Sequence, residues 1–184
     1  QIHHFNENGF IINIKIFNKN ESIKNREYFD DLLNIITNEN DGRNSYSLDC
    51  YHNQCLGIWK LMNNKKILDY VEDLLGPNII GWSTHYFCKL PYDKKIVAWH
   101  QDSSYWAVTP CKVVTVWLAI DKVDISNSAM KFIPGSHKYG QVNWKYTKKD
   151  AVLNLVEFLP FTKKKKKIRF LVILKMTDLL LKKV

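Results

Sequence analysis

Leu74-Leu-Gly-Pro-Asn-Ile-Ile-Gly-Trp-Ser-Thr-His-Tyr-Phe-Cys88 holds the change of periodicity on which the fold turns. Ahead of it Ile67, Leu68, Val71, Leu74 and Leu75 recur at helical spacing, which predicts a helix over about 65–75. Gly76-Pro77 stops that helix, because glycine accepts a left-handed backbone and proline has no N–H to continue the ladder. Beyond it the pattern shortens. Ile79–Cys88, Ile96–Gln101, Val113–Ile120 and Met130–Ile133 are β-branched or aromatic runs divided by turn-forming segments, and they predict strands.

Towards the amino terminus, Asn6-Glu-Asn-Gly9 reads as a turn and Phe10–Phe17 as a first strand. Ile23, Tyr28, Phe29, Leu32, Leu33 and Ile36 predict a helix from about residue 23, capped by Asn20 or Ser22. Asn38–Asn53, rich in Asn, Asp, Gly and Ser, reads as a loop. Helices followed by a series of strands predict an α+β chain, mainly β, with a sandwich or barrel as its body. A chain of 184 residues that is 46% hydrophobic is long enough for one domain with a real core.

The formal net charge of +9 is unevenly placed. Residues 1–137 carry 14 Lys and Arg against 15 Asp and Glu, whereas residues 138–184 carry 13 against 3. A basic tail on a nearly neutral domain is not the scattered positive surface of a nucleic-acid-binding fold, so no specific nucleic acid is expected as a partner. The Lys163–Lys167 run read as a polyanion-binding tail is kept as an alternative. The longest apolar run considered for a membrane, Phe170–Leu174, is far shorter than the roughly 18 residues of a spanning helix. Cys50, Cys55, Cys88 and Cys111 lack C-x-x-C spacing, which leads us to expect reduced thiols in an intracellular, cytoplasmic protein. A chain that opens on Gln1 is expected to be a fragment or a processed product.

Trp99-His-Gln-Asp102 carries the chemistry. On an extended strand residues i and i+2 share a face, so His100 and Asp102 would present an imidazole and a carboxylate side by side with Gln101 turned away. Two such groups are two thirds of the two-histidine, one-carboxylate triad that leaves positions open on iron(II). On spacing alone a surface His/Asp pair is the commoner meaning of such a tripeptide.

Five ordered blocks sharpen this reading: Phe87-Cys-Lys89, Trp99-His-Gln-Asp102, Tyr105-Trp106, Val113-Val-Thr-Val-Trp-Leu-Ala-Ile-Asp121 and Ile133-Pro-Gly-Ser-His137. Together they closely resemble the phytanoyl-CoA dioxygenase family of iron(II)/2-oxoglutarate oxygenases. Asn8-Gly-Phe10 and Ile67–Pro77 extend the resemblance over about residues 5–140. It implies a double-stranded β-helix, a cupin-like jelly roll with amino-terminal helices packed outside. It implies Fe(II) held by His100 and Asp102, and 2-oxoglutarate as cosubstrate walled by Trp117 and reached by His85 and Lys89. Tyr105 and Trp106 would line the mouth for a small-molecule or acyl-type substrate. Molecular oxygen is the other reactant, and the retained Asp102 fits a hydroxylase rather than a halogenating relative, in which a small residue stands there.

The family pattern also needs a distal histidine and, soon after it, an arginine for the far carboxylate of 2-oxoglutarate. The histidines here are His3, His4, His52, His85, His100 and His137, and Arg169 is the one arginine beyond them, so neither role is carried over. The expected organisation is therefore a truncated oxygenase domain over 1–150, its carboxy-terminal strands missing, and a basic tail of doubtful origin over 151–184. A reading-frame shift near the Lys163–Lys167 run would account for such an end. The alternative to an enzyme is a catalytically inactive family fragment that binds metal weakly or not at all.

Overall fold

The computed structural model describes residues 1–38, 51–89, 92, 97–106, 112–127, 129–146, 155–157 and 172–174. Among them are four α-helices, α1 (Ile2–Asn8), α2 (Lys19–Asn38), α3 (Leu56–Met62) and α4 (Lys65–Leu75), and four short strands, β1 (Val116–Leu118), β2 (Trp144–Tyr146), β3 (Leu155–Glu157) and β4 (Val172–Leu174). The chain divides into two compact units, one of Gln1–Ile12, Lys94–Trp117 and Met130–Ile173, the other of Asn13–Asp93, Leu118–Ala129 and Leu174–Val184. The expected α+β mixture is present, but helical residues outnumber strand residues among those described, where a mainly β chain was expected.

The helical unit is organised around α2. A reciprocal capping box starts it: Asn18 Oδ1 accepts from the Glu21 N–H at 2.9 Å, and Glu21 Oε2 accepts from the Asn18 N–H at 2.8 Å. The helix therefore begins at Lys19, ahead of the predicted start, and neither Asn20 nor Ser22 caps it. Ser22 is fully buried and returns its hydroxyl to the Asn18 carbonyl at 2.9 Å. Phe29 and Ile36 form the buried stripe, against which Leu32, Leu33, Tyr86, Cys88 and Ile120 pack. Arg26 on the same helix is forked by Asp30, at 3.0 Å to each oxygen, and also donates to Asp121.

Helix α4 occupies the predicted span. Asn64 caps it by accepting from the Lys66 N–H at 3.0 Å, and Gly76 closes it at φ 87°. Helix α3, which the sequence pattern did not reveal, abuts Tyr28, whose hydroxyl accepts from the Gly57 N–H at 3.2 Å. A Cβ on Gly57 would stand 2.3 Å from the Tyr28 ring, so only glycine permits this approach. The expected strands Phe10–Phe17 and Ile79–Cys88 form no ladder, with single bridging residues at Lys15 and His85 and a left-handed turn of the backbone at Asn13, φ 63°. A β-branched run becomes a strand only when a neighbour satisfies its N–H and C=O groups. The expected loop over 38–53 lies mostly outside the described residues, and Tyr51–Asn53 forms one tight helical turn.

In the other unit, Asn6–Gly9 is not a free turn but the end of α1: the Gly9 N–H bonds the Phe5 carbonyl at 2.7 Å with φ at 84°. Phe5 is fully buried. The Pro-Gly-Ser-His segment docks on this helix end, where the Gly135 N–H donates to the Asn8 carbonyl at 2.9 Å and His137 Nε2 meets the Asn6 carbonyl at 3.0 Å. Lys138 pairs with Glu7 at 2.6 Å, and the rings of Phe10 and Phe132 lie 5.1 Å apart. Met130–Ile133, expected as a strand, has no ladder. Strands β2 and β3 pair antiparallel, with Trp144 opposite Glu157 and Tyr146 opposite Leu155, and β1 pairs with β4.

Candidate metal centre

His100 and Asp102 lie in the unit that contains α1, and no strand carries them. Residues 97–101 are irregular, and Asp102 opens the single helical turn Asp102–Tyr105. The two side chains converge all the same: His100 Nε2 stands 3.2 Å from Asp102 Oδ1, with 22% and 30% of the side chains exposed. The turn at Asp102 does here what strand alternation was expected to do.

Each side chain is tied at its far end. His100 Nδ1 lies 2.7 Å from the Ala98 carbonyl, which can only accept, so the hydrogen bond assigns the ring proton to Nδ1. When the ring is neutral its Nε2 lone pair faces a carboxylate oxygen, and when it is protonated Nε2 donates to that oxygen. Two acceptors face one another comfortably only with a cation between them, either a proton or a metal ion. Thr115 Oγ1 donates to Asp102 Oδ2 at 2.5 Å and leaves Oδ1 for that cation. Burial is the strongest influence on the Asp102 carboxyl and pushes its pKa up, but the hydrogen bonds from His100 and Thr115 outweigh it and hold the pKa below the ordinary value.

This arrangement suits a divalent metal on two counts. Imidazole nitrogen and carboxylate oxygen bind such ions at about 2.1 Å, which places neighbouring octahedral ligands about 3 Å apart, close to the separation found here. A metal-binding imidazole also characteristically donates its second N–H to a carbonyl, as His100 does to Ala98. Among the described residues no group of three or more His, Cys, Asp and Glu side chains forms a metal site.

The other predicted residues divide between the two units. The Tyr105 ring meets His100 edge-on, with centroids 5.9 Å apart, so this expected mouth residue does adjoin the pair. Trp106 is half-buried just beyond, and Trp117 is half-buried on β1, two positions after Thr115. His85 and Lys89 belong to the helical unit, where His85 packs on Phe87 with centroids 4.2 Å apart and Lys89 is exposed. His137 is engaged with α1. Arg169 and Lys163–Lys167 lie outside the described residues. Two residues that the sequence reading left without a role touch the motif: Thr115, and Gln101, whose amide bonds the backbone of residues 140 and 142.

The sequence profile of the phytanoyl-CoA dioxygenase (PhyH) family matches residues 16–167, and the chain belongs to that family. Among curated proteins it is 35% identical over 77 residues to the peroxisomal phytanoyl-CoA dioxygenase of Bos taurus, covering 40% of this chain and 23% of that one. It is 36% identical over 80 residues to a phytanoyl-CoA dioxygenase domain-containing protein 1 homolog of Caenorhabditis elegans, covering 43% and 26%. It is also 33% identical over 81 residues to a probable alpha-ketoglutarate-dependent hypophosphite dioxygenase of Stutzerimonas stutzeri, covering 44% and 28%. The matched segments thus span about a quarter of the length of these relatives. No solved structure matches the chain. The family match runs through Lys167, past the expected boundary at 150, and stops short of Arg169.

Proposed function

We propose that this chain is the iron-binding part of an Fe(II)- and 2-oxoglutarate-dependent hydroxylase acting on a small-molecule or acyl-type substrate. One observation carries the reading: His100 Nε2 and Asp102 Oδ1 face each other at 3.2 Å while Ala98 and Thr115 occupy their other polar atoms. The family membership and the dioxygenase names of its relatives support it. In this reading β1–β4 are pieces of a cupin-like jelly roll, and the free thiol of Cys55 fits a reducing intracellular setting.

Bound iron(II) and 2-oxoglutarate would supply oxygen activation, with 2-oxoglutarate decarboxylated to succinate and one oxygen atom delivered to a substrate C–H bond. The protein's part is positional. His100 offers Nε2 because Ala98 keeps the proton on Nδ1, and Asp102 offers one oxygen because Thr115 holds the other. Tyr105, edge-on to His100, limits water on one side of the pair, with Trp106 following it towards the substrate. Trp117, on β1 two positions after Thr115, is proposed to wall the cosubstrate.

A second reading is favoured by the lack, among the described residues, of a third ligand beside the pair. It makes this chain a family fragment that binds metal weakly and does not turn over. Anaerobic titration with Fe(II) and 2-oxoglutarate separates the readings. The hydroxylase gives a charge-transfer band, lost in His100→Ala and Asp102→Ala, and oxygen-dependent succinate release. The fragment gives neither at micromolar metal, and that result overturns the first proposal.

A further inference from the structure

We propose that Gln101, the residue between the two metal-directed side chains, is a positioning residue that keeps His100 and Asp102 convergent by clamping the backbone between them. The inference rests on the metal-binding reading above and adds a residue to it. The Gln101 amide makes two hydrogen bonds to one stretch of main chain: Nε2 donates to the Gly140 carbonyl at 2.9 Å, and Oε1 accepts from the Val142 N–H at 3.0 Å. Donating to the carbonyl of one residue and accepting from the N–H of the residue two further on is the bonding pattern of a residue in a parallel ladder, here made by a side chain in place of a strand.

The geometry gives this rung leverage. Peptide planarity leaves only the ψ of His100, the φ and ψ of Gln101 and the φ of Asp102 to set the relation between the two ligand-bearing α-carbons. No strand ladder fixes those torsions, because residues 97–101 are irregular. A rotation that separated His100 from Asp102 would carry the Gln101 side chain with it and break both bonds to Gly140 and Val142. The anchor is itself fixed: Gly140 is buried at the end of the Ser136–Tyr139 turn, whose preceding Gly135 N–H is bound to the Asn8 carbonyl at 2.9 Å. Thr115 selects the Asp102 oxygen that is free, whereas Gln101 sets the backbone from which both side chains start. Glutamate, the isosteric replacement, can still accept from Val142 but turns a carboxylate oxygen towards the Gly140 carbonyl. Leucine makes neither bond.

The test uses the full chain as wild type, Gln101→Glu and Gln101→Leu. Two readouts are taken: Mn(II) binding, followed by the EPR signal of the free ion, and the His100 ring-nitrogen NMR signals of the metal-free protein at fixed pH. Disturbance of a group that orients metal ligands characteristically weakens metal binding by about 10–100-fold. The expected result is a loss of about 10-fold for Gln101→Glu and a larger one for Gln101→Leu, with His100 ring signals displaced in both and an unchanged far-UV CD spectrum for Gln101→Glu. Unchanged Mn(II) affinity and unchanged His100 signals, in a variant whose Val142 amide has lost exchange protection, overturn the proposal. If wild type takes up no Mn(II), the metal reading fails by itself and the His100 signals decide this one, displacement supporting it and constancy overturning it. If Gln101→Leu does not fold, Gln101→Glu carries the same comparison.

Discussion

Thr115 and Asp102, 13 positions apart in the chain, are joined by a 2.5 Å hydrogen bond in which the hydroxyl donates to Oδ2. Thr115→Val keeps the shape and removes the donor, so the Asp102 carboxylate loses a partner in a mostly buried site. The variant is expected to be less stable by about 1–2 kcal/mol at pH 7, at the lower end for a hydrogen bond to a charged group. Folding lowers the Asp102 pKa, so its carboxylate contributes stability that is fully present above the unfolded value of about 3.9 and is lost as pH falls through the folded value. The gap between wild type and Thr115→Val therefore closes below about pH 4. Urea denaturation at several pH values measures it. A gap that does not narrow as pH falls below about 4 refutes the assignment, and Thr115→Ser should behave as wild type.

The capping box of α2 gives a second expectation. Asn18→Ala removes the acceptor for the Glu21 N–H and should cost about 1 kcal/mol. Asn20→Ala and Asn18→Ser, which respectively leave and replace the cap, should each cost only a few tenths. Equal losses in Asn18→Ala and Asn20→Ala would show that the helix does not start at Lys19.

What the sequence disclosed follows from how local each signal is. The helix over 65–75 was legible because the apolar spacing and the Gly76-Pro77 stop act within a few residues of one another, although its Asn64 cap went unread. The start of α2 was misplaced because Asn18, Asn20 and Ser22 are all competent caps, and only the return bond from Glu21 distinguishes the first. Strands were overpredicted at 79–88 and 97–101, since β-branched runs state a preference whose fulfilment needs a partner from a distant part of the chain. His100 and Asp102 could be paired from spacing alone, although a helical turn rather than a strand brings them together. Thr115 and the Gln101 clamp escaped notice because their partners lie 13, 39 and 41 positions away, and no local pattern encodes such distances.

Cys88 offers a measurement in the helical unit. Burial against Phe29 and Ile36 pushes its thiol pKa above the ordinary 9.0, with Arg26 opposing the shift and Asp121 and Asp30 reinforcing it. A raised folded pKa means that the neutral thiol contributes stability that is present below the ordinary value and is lost as pH rises through the folded one. Alkylation of Cys88, followed by mass spectrometry of its peptide, should have its pH midpoint above 9.0 in the native chain and near the ordinary value in urea. Coincident midpoints would place Cys88 outside the core.

Gly9 and His137 provide the sharpest stability test, because the same contact can be removed from either side. A Cβ on Gly9 would lie 2.4 Å from His137 Nδ1, and the φ of 84° is one that side-chain-bearing residues adopt at a cost. Gly9→Ala should lose about 2 kcal/mol, part of it from the left-handed backbone and part from displacing the imidazole off the Asn6 carbonyl. His137→Ala alone should cost about 1 kcal/mol through that same hydrogen bond. In the double variant the clash is absent and the bond cannot be lost twice, so its loss should fall short of the sum of the single losses by about 1 kcal/mol. Additive losses in chemical denaturation would mean that the Pro-Gly-Ser-His turn does not rest on α1. Non-additivity would establish the docking that also anchors Gly140, and through it Gln101.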